Sequence, residues 1–157
     1  MNSIFKKLNF KDQKEVYIFQ APDSFRPAMK EMEALTSVRT SPGVAEEIQF
    51  ALTFVTMKSE IDAFAKQIVP LVKGDGVIWI AYPKGSSRKY KCDFNRDTGW
   101  EVLGQLGFEG VRMVAIDEDW SALRFRNARY IKTMTRSFAM SDEGRKKVAG
   151  KKARPRK

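Results

Sequence analysis

The sequence predicts an α/β protein, a Rossmann-like three-layer sandwich whose mainly parallel sheet ends in a C-terminal antiparallel hairpin. β-Branched and aromatic runs alternate with segments of helical period, which is typical of a parallel sheet covered on both faces. The last two apolar runs are separated by a short acidic turn, which predicts a hairpin that adds an antiparallel edge strand. The length of 157 residues suits one domain.

The first half of the chain alternates short apolar runs with turn residues. Ser24 is predicted to cap the second helix, and Pro27 fits its first turn. The predicted elements are a helix over 3–10, a strand over 15–20, a helix over 24–35, a short strand over 37–40 and a buried strand over 47–56.

The second half begins with a helical stripe, for which Ser59 and Asp62 suggest a capping box and Pro70 a bend. Residues 73–76 (KGDG) are predicted to form a turn, and the strand over 77–82 follows it. The remaining predictions are a helix from the cap Asp97 or Thr98 to Leu106, ended by Gly107, strands over 111–117 and 120–126, and a helix over 128–138.

Composition excludes several kinds of site. The chain has no histidine, which removes a histidine general base, a Ser-His-Asp or Cys-His nucleophile pair and an imidazole metal ligand. Cys92 is the only cysteine, so an intrachain disulfide, a zinc finger and an iron–sulfur site are excluded. Lys91 lies beside Cys92, but no base partner is identifiable, and we do not predict a nucleophile.

Positive charge is unevenly distributed along the chain. The net charge is +10, of which residues 141–157 carry +6 (eight basic, two acidic) and residues 1–140 carry +4 (21 basic, 17 acidic). We therefore predict a single α/β domain over residues 1–138 and a basic, disordered tail over 139–157. Two interpretations of the tail remain open, a solubilising segment and an arm for nucleic acid or another polyanion.

The sequence suggests a cytoplasmic protein. A lone cysteine suits a reducing compartment, and charges interrupt the N-terminal segment where a signal peptide would be apolar. The longest apolar run, 77–82, is far shorter than the roughly 20 residues that span a bilayer.

Ligands of such sheets bind at the carboxyl ends of the strands, which here are followed by loops starting at Ala21, Thr56, Pro83 and Asp117. Dinucleotide folds need glycines after the first strand, and S-adenosylmethionine methyltransferases of this architecture have their own glycine-rich loop there. Residues 21–25 (APDSF) contain no glycine, and the chain has no P-loop motif. A standard NAD, S-adenosylmethionine or ATP site is therefore not predicted, and the sequence identifies no cofactor.

The loop over residues 83–97 is the richest candidate site. Residues 84–96 carry a net charge of +4 (five basic, one acidic) around Gly85 and two serines. Such a loop can hold a phosphate or carboxylate, with Lys84, Ser86, Ser87 and Lys89 as donors. The alternative is an exposed mobile loop whose charges are solvated.

Further candidates flank this loop. Asp97 suits a helix cap, Trp100 a core residue or a pocket wall, and Asp117 a turn in which it pairs with Arg96 or Arg124. Arg124 and Arg126 share one strand face and form either a phosphate-binding ridge or the polar face of an edge strand. The predicted ligand-binding residues are Lys84, Ser86, Ser87, Lys89, Arg96, Asp97, Trp100, Asp117, Trp120 and Arg124. No catalytic residue and no metal ligand is predicted.

Three segments resemble a family of small bacterial proteins that is known only as a domain of unknown function. They are 79–87 (WIAYPKGSS), 96–100 (RDTGW) and 114–126 (VAIDEDWSALRFR), and the resemblance covers residues 13–130. It implies a cytoplasmic bacterial protein in which the three segments form one site, and it implies no reaction.

These observations leave three hypotheses for function. The favoured one is a non-catalytic module that binds an anionic small molecule or partner at residues 84–97. The alternative is a divergent methyltransferase-like or nucleotide-using enzyme, for which the fold is the only support. The third is a nucleic-acid-associated protein that uses the basic tail.

Overall fold

The computed structural model describes residues 3–94 and 98–131. The helices are α1 (Ser3–Lys7), α2 (Arg26–Met32), α3 (Lys58–Gln67) and α4 (Glu101–Gln105), and short 3-10 turns lie at Asp23–Phe25, Val69–Leu71 and Ala128–Tyr130. The strands are β1 (Glu15–Phe19), β2 (Ser37–Arg39), β3 (Ile48–Phe54), β4 (Val72–Pro83), β5 (Phe108–Ala115) and β6 (Trp120–Asn127).

The strands form one sheet in the order β2-β1-β3-β4-β6-β5. Pairs β1–β2, β1–β3 and β3–β4 are parallel, whereas β6 runs antiparallel to both β4 and β5. The predicted mainly parallel sheet with a C-terminal hairpin is confirmed. The position of the antiparallel strand was predicted wrongly, because β6 lies inside the sheet and β5 forms the edge. The burial of Ala122 and Phe125 on opposite faces of β6 suits this interior position.

Helices cover both faces and enclose two cores. The first, here the α1–α2 core, contains Phe5, Met32, Trp79 and Trp120. The second, the α3–α4 core, contains Phe64, Ile80, Trp100 and Phe125. Alternate residues of the central strands enter opposite cores, as Trp79 and Ile80 do, which explains the near-continuous apolar runs of β3 and β4.

The segment over 73–76 was predicted wrongly as a turn. It lies within β4, where the register with β3 shifts between the pairs Ile48–Val72 and Phe50–Val77. Gly74 adopts a left-handed backbone with φ 58°. The glycines therefore mark an irregularity inside a strand rather than its beginning.

The predicted helix caps were also displaced. A 3-10 turn containing Ser24 precedes α2, and α2 has no side-chain cap. Helix α3 begins at Lys58, where Glu60 accepts hydrogen bonds from the backbone N–H groups of Thr56 and Met57. Helix α4 begins at Glu101, so Thr98 does not cap it, and Gly107 follows it with φ 89°.

Other predictions fall partly or wholly outside the described residues. Of the helix predicted over 128–138, the structure describes 128–131, where Ala128–Tyr130 is a 3-10 turn. The tail over 139–157 lies outside the described residues. In the described ranges, no helix has the length and apolar character needed to cross a membrane.

Candidate functional site

The carboxyl ends of the parallel strands meet at one edge of the sheet, and residues 84–94, here the β4 loop, fold back over it. The loop starts with Lys84, whose backbone N–H donates to the carbonyl of Asp119 at 2.8 Å. Asp119 lies in the turn between β5 and β6. The loop is thereby fixed to the hairpin where it leaves β4.

Ser87 organises the first half of the β4 loop. Its hydroxyl donates to Asp119 Oδ1 at 2.8 Å and accepts from the backbone N–H groups of Lys89 and Tyr90 at 3.2 and 3.1 Å. The donor and both acceptor positions of a serine hydroxyl are thus in use. Ser87 shapes the loop, which differs from its predicted role as a ligand donor.

The far end of the loop is fixed to α3. Asp93 Oδ1 accepts from the backbone N–H of Lys58 at 2.7 Å, and Asp93 N donates to the carbonyl of Thr56 at 3.3 Å. Together with Glu60, Asp93 places two carboxylates on the first turn of α3. Because these carboxylates already place negative charge at the start of α3, a further anion there would meet like charges.

Beneath the β4 loop lies a cavity of about 550 Å³. Its walls come from the end of β4, the loop itself, β5 and β6. The lining residues are Tyr82, Pro83, Lys84, Gly85, Ser87, Tyr90, Lys91, Cys92, Phe94, Met113 and Ser121.

The floor of the cavity is aromatic and sulfur-rich. The Tyr82 hydroxyl contacts Met113 Sδ at 3.6 Å, and its ring lies 6.0 Å from that of Phe94 between centroids. Trp100 packs behind both rings, at 5.6 Å from Tyr82 and 5.2 Å from Phe94. Cys92 Sγ donates to the carbonyl of Phe94 at 2.9 Å.

The rim of the cavity is basic. Residues 84–94 contain four basic residues and one acidic residue, a net charge of +3. In the described part of the chain, Lys84 and Lys91 enter no ion pair, whereas Asp93 and Asp119 accept the hydrogen bonds given above. Both lysines line the cavity, and within the described residues no carboxylate forms an ion pair with either of them.

The structure separates the predicted site residues into groups. Lys84 and Ser87 line the cavity, while Ser86 and Lys89 are exposed on the same loop, with Lys89 Nζ 5.7 Å from the centre of the Tyr90 ring. The ring of Trp120 packs against that of Tyr90 with centroids 4.9 Å apart. Arg96 and Asp97 lie outside the described residues.

Asp117 and Arg124 do not join the cavity. Asp117 Oδ1 accepts from the backbone N–H groups of Asp119 and Trp120 at 2.8 and 2.9 Å, so it forms the hairpin turn as expected. The predicted pairing with Arg124 was wrong, because Arg124 lies further along β6, opposite Trp79 and Arg112. Since β6 is interior, Arg124 and Arg126 are not the polar face of an edge strand either.

Sequence reasoning missed the residues that form the cavity floor and its far wall. From the sequence, Tyr82 and Phe94 are aromatic residues of the kind expected in the core, so neither was assigned to a site. Met113 and Ser121 come from two strands, and only the register of the hairpin places them beside Tyr82. Asp119 could have been found as one of three acidic residues at the turn, but not as the partner of Ser87.

The loop after β1 is filled by side chains. Phe25, in the 3-10 turn that follows this loop, packs against Phe54 with ring centroids 4.9 Å apart, and Phe54 packs against Trp120 at 5.1 Å. The carboxyl end of β1 is thus closed by an aromatic row on the α1–α2 face. In the described residues, no group of three His, Cys, Asp or Glu side chains is placed to hold a metal ion.

No family model and no curated protein matches the chain in sequence. Among solved structures, the fold is similar to that of a SAM-dependent methyltransferase from Aquifex aeolicus, with 12% identity, a TM-score of 0.53 and coverage of 79% of this chain and 87% of that one. The N-methyltransferase NodS from Bradyrhizobium japonicum has 14% sequence identity and a TM-score of 0.47, and the match covers 73% of this chain and 74% of that one. A protein of the NADB-Rossmann superfamily from Streptococcus agalactiae has 12% sequence identity and a TM-score of 0.46, and the match covers 81% of this chain and 68% of that one. At this identity the first similarity supports the Rossmann-like, methyltransferase-like fold and nothing finer.

Proposed function

We propose that the chain is a non-catalytic binding module that holds an anionic small molecule in the cavity under the β4 loop. The observation that carries the proposal is the combination of an aromatic cavity with two lysines on its lining, Lys84 and Lys91, which form no ion pair with any described residue. Small-molecule sites are commonly apolar with a few convergent polar groups.

The shape and chemistry of the cavity favour a particular class of ligand. Its volume of about 550 Å³ lies within the range of sites for metabolite-sized molecules. Tyr82, Phe94 and Met113 suit a planar or apolar body, and the lysines suit a carboxylate or phosphate at its end. A small organic acid or phosphorylated metabolite is therefore the ligand that fits best.

The fold favours a second candidate, a divergent methyltransferase-like enzyme. The similar structure from Aquifex aeolicus is a SAM-dependent methyltransferase. Against this candidate stands the loop after β1, which lacks glycine and is closed by Phe25 and Phe54. S-adenosylmethionine would have to bind beside another strand or displace this aromatic row.

A thermal-shift screen of acidic metabolites, phosphorylated sugars, nucleotides, S-adenosylmethionine and S-adenosylhomocysteine tests both candidates. At a ligand concentration 100-fold above Kd, binding adds about 2.7 kcal/mol, which raises Tm by about 5–10 °C for a chain of this size. Lys84→Ala with Lys91→Ala should weaken binding of the anionic ligand about tenfold or more. Lys66→Ala, an exposed lysine of α3, is the matched control and should bind like the unaltered protein.

The outcomes separate the candidates. If no anion stabilises the protein, or if the double lysine variant binds as tightly as the control, the binding-module proposal fails. If S-adenosylmethionine or S-adenosylhomocysteine binds and the lysine substitutions have no effect, the methyltransferase-like candidate takes its place.

A further inference from the structure

A row of register partners crosses the sheet on the α1–α2 face. Leu52 of β3 pairs with Trp79 of β4, Trp79 with Arg124 of β6, and Arg124 with Arg112 of β5. Neighbouring partners Ala122 and Val114 belong to the α1–α2 core, which fixes the face on which Arg112 and Arg124 lie. Met113 lies on the other face, towards the cavity.

Arg124 is half-buried, and the environment of its guanidinium is unusual. Its Nε has no accessible surface, and among the described residues it has no hydrogen-bond partner. It stands beside Trp79, whose indole is fully buried and donates to the carbonyl of Leu8 at 2.7 Å. A buried N–H of a cationic group without an acceptor is costly, and a nearby bound anion would offset part of that cost through its charge.

Local acids do not neutralise this pair of arginines. The carboxylate of Asp75 is held by Arg126 through Nε–Oδ1 at 2.8 Å and Nη2–Oδ2 at 2.6 Å. Glu109, which is fully buried, lies opposite Arg126 rather than Arg124. In the described residues, neither Arg112 nor Arg124 enters an ion pair.

The titration behaviour of the cluster agrees with this geometry. The pKa of Arg124 is lowered, first by its burial and then by the charge of Arg126, while Asp75 opposes the shift and Arg112 adds to it. The pKa of Arg126 is raised by its hydrogen bond to Asp75. The charge of Arg124 is thus less well compensated than that of Arg126.

We propose that Arg112 and Arg124 form a phosphate-binding site on the α1–α2 face, separate from the cavity under the β4 loop. Two adjacent guanidinium groups provide forked N–H donors and two positive charges, which match a phosphomonoester better than a singly charged carboxylate. A phosphate at the solvent side of the pair compensates the charge of Arg124 through space, since its Nε has no accessible surface. Arg112, which is exposed, lies at the solvent side of the site.

Nuclear magnetic resonance of arginine side chains tests the site directly. Inorganic phosphate and ribose 5-phosphate should shift the Nε–Hε signals of Arg112 and Arg124 and leave that of Arg129, an exposed arginine, unmoved. Arg112→Gln should weaken phosphate binding about tenfold, since it removes one charged partner. Arg124→Lys keeps the charge but not the fork and should also weaken it. Arg129→Gln is the matched control and should have no effect.

The test also distinguishes the source of the phosphate. If a short oligothymidylate shifts the same signals with an affinity that falls steeply with salt, the site binds polynucleotide backbone. If only the phosphomonoesters do so, it binds small metabolites. Unmoved Arg112 and Arg124 signals with every probe, or equal binding by Arg112→Gln and Arg129→Gln, overturn the proposal.

Discussion

The hydroxyl of Ser87 fixes the conformation of the first half of the β4 loop. It holds Asp119 and two backbone N–H groups, whereas Ser86 beside it is exposed. The two serines are adjacent in the chain, and the fold brings Asp119 and the two backbone N–H groups to one of them.

Ser87→Ala should therefore destabilise the protein, and Ser86→Ala should not. The first substitution removes hydrogen bonds at a half-buried position, and we expect the free energy of unfolding to fall by about 1 kcal/mol. The second should change it by less than about 0.5 kcal/mol. Urea unfolding measures both, and hydrogen exchange at the Tyr90 amide should become faster in Ser87→Ala alone. Equal effects of the two substitutions would contradict the role assigned to Ser87.

At the residue scale, the ligand-binding roles assigned from the sequence stay predictions. The basic, serine-containing loop does line a cavity through Lys84 and Ser87. The partners of Ser87, Asp117 and Arg124 depend on strand register across the hairpin, and register is a tertiary property. The role of Trp100 as core behind the cavity wall followed from its residue type.

Among the elements, β4 departs furthest from its predicted form. The strand extends through the segment 73–76, where two glycines accommodate a shift in register against β3. A Cβ at position 76 would lie 2.3 Å from Val72 Cγ1 and 3.4 Å from the carbonyl oxygen of Ile48. This position therefore favours glycine, because the Val72 side chain of the same strand occupies the space that a Cβ would need.

Gly76→Ala should lower the free energy of unfolding by about 1–3 kcal/mol, the usual cost of overpacking. Gly85→Ala is the control, because a Cβ there has no heavy atom within 4 Å. It should leave stability unchanged or raise it slightly through the unfolded chain. Thermal or urea unfolding of the two variants decides the matter, and a Gly76→Ala protein as stable as the Gly85→Ala protein would refute the steric argument.

The predicted elements succeeded where local pattern and burial agree. The strand over 77–82, the buried strand over 47–56 and the hairpin over 111–126 all exist with modest shifts at their ends. Helix starts were less accurate, because Glu60 and Asp93 satisfy the first turn of α3 in place of Ser59. Asp93 lies 35 positions from Lys58, which no local pattern could reveal.

At the scale of the whole molecule, one sheet contributes side chains to two separate cores, one on each of its faces. The fold class was predictable because alternating strands and helices allow few topologies. The interior position of β6 was not, since it requires knowing that β4 accepts an antiparallel partner. The same arrangement places the cavity on one face and the Arg112–Arg124 pair on the other.

The three tryptophans allow the coupling of the two cores to be measured. Trp79 and Trp120 lie in the α1–α2 core and Trp100 in the α3–α4 core. In the Trp100→Phe variant, the remaining tryptophans report by fluorescence on the α1–α2 core. In the Trp79→Phe, Trp120→Phe double variant, Trp100 alone reports on the α3–α4 core. Because residues of β3 and β4 enter both cores, neither can separate without breaking the shared sheet. We therefore expect one cooperative transition.

In each variant, urea unfolding followed by tryptophan fluorescence and by far-ultraviolet circular dichroism should give the same midpoint and the same slope, about 1–3 kcal/mol per molar urea. A lower stability of the double variant would not affect the comparison, since the two probes are compared within one protein. A fluorescence transition that precedes the circular dichroism transition in one variant alone would show that its core opens first. The two cores would then be units that unfold separately, although β3 and β4 contribute residues to both.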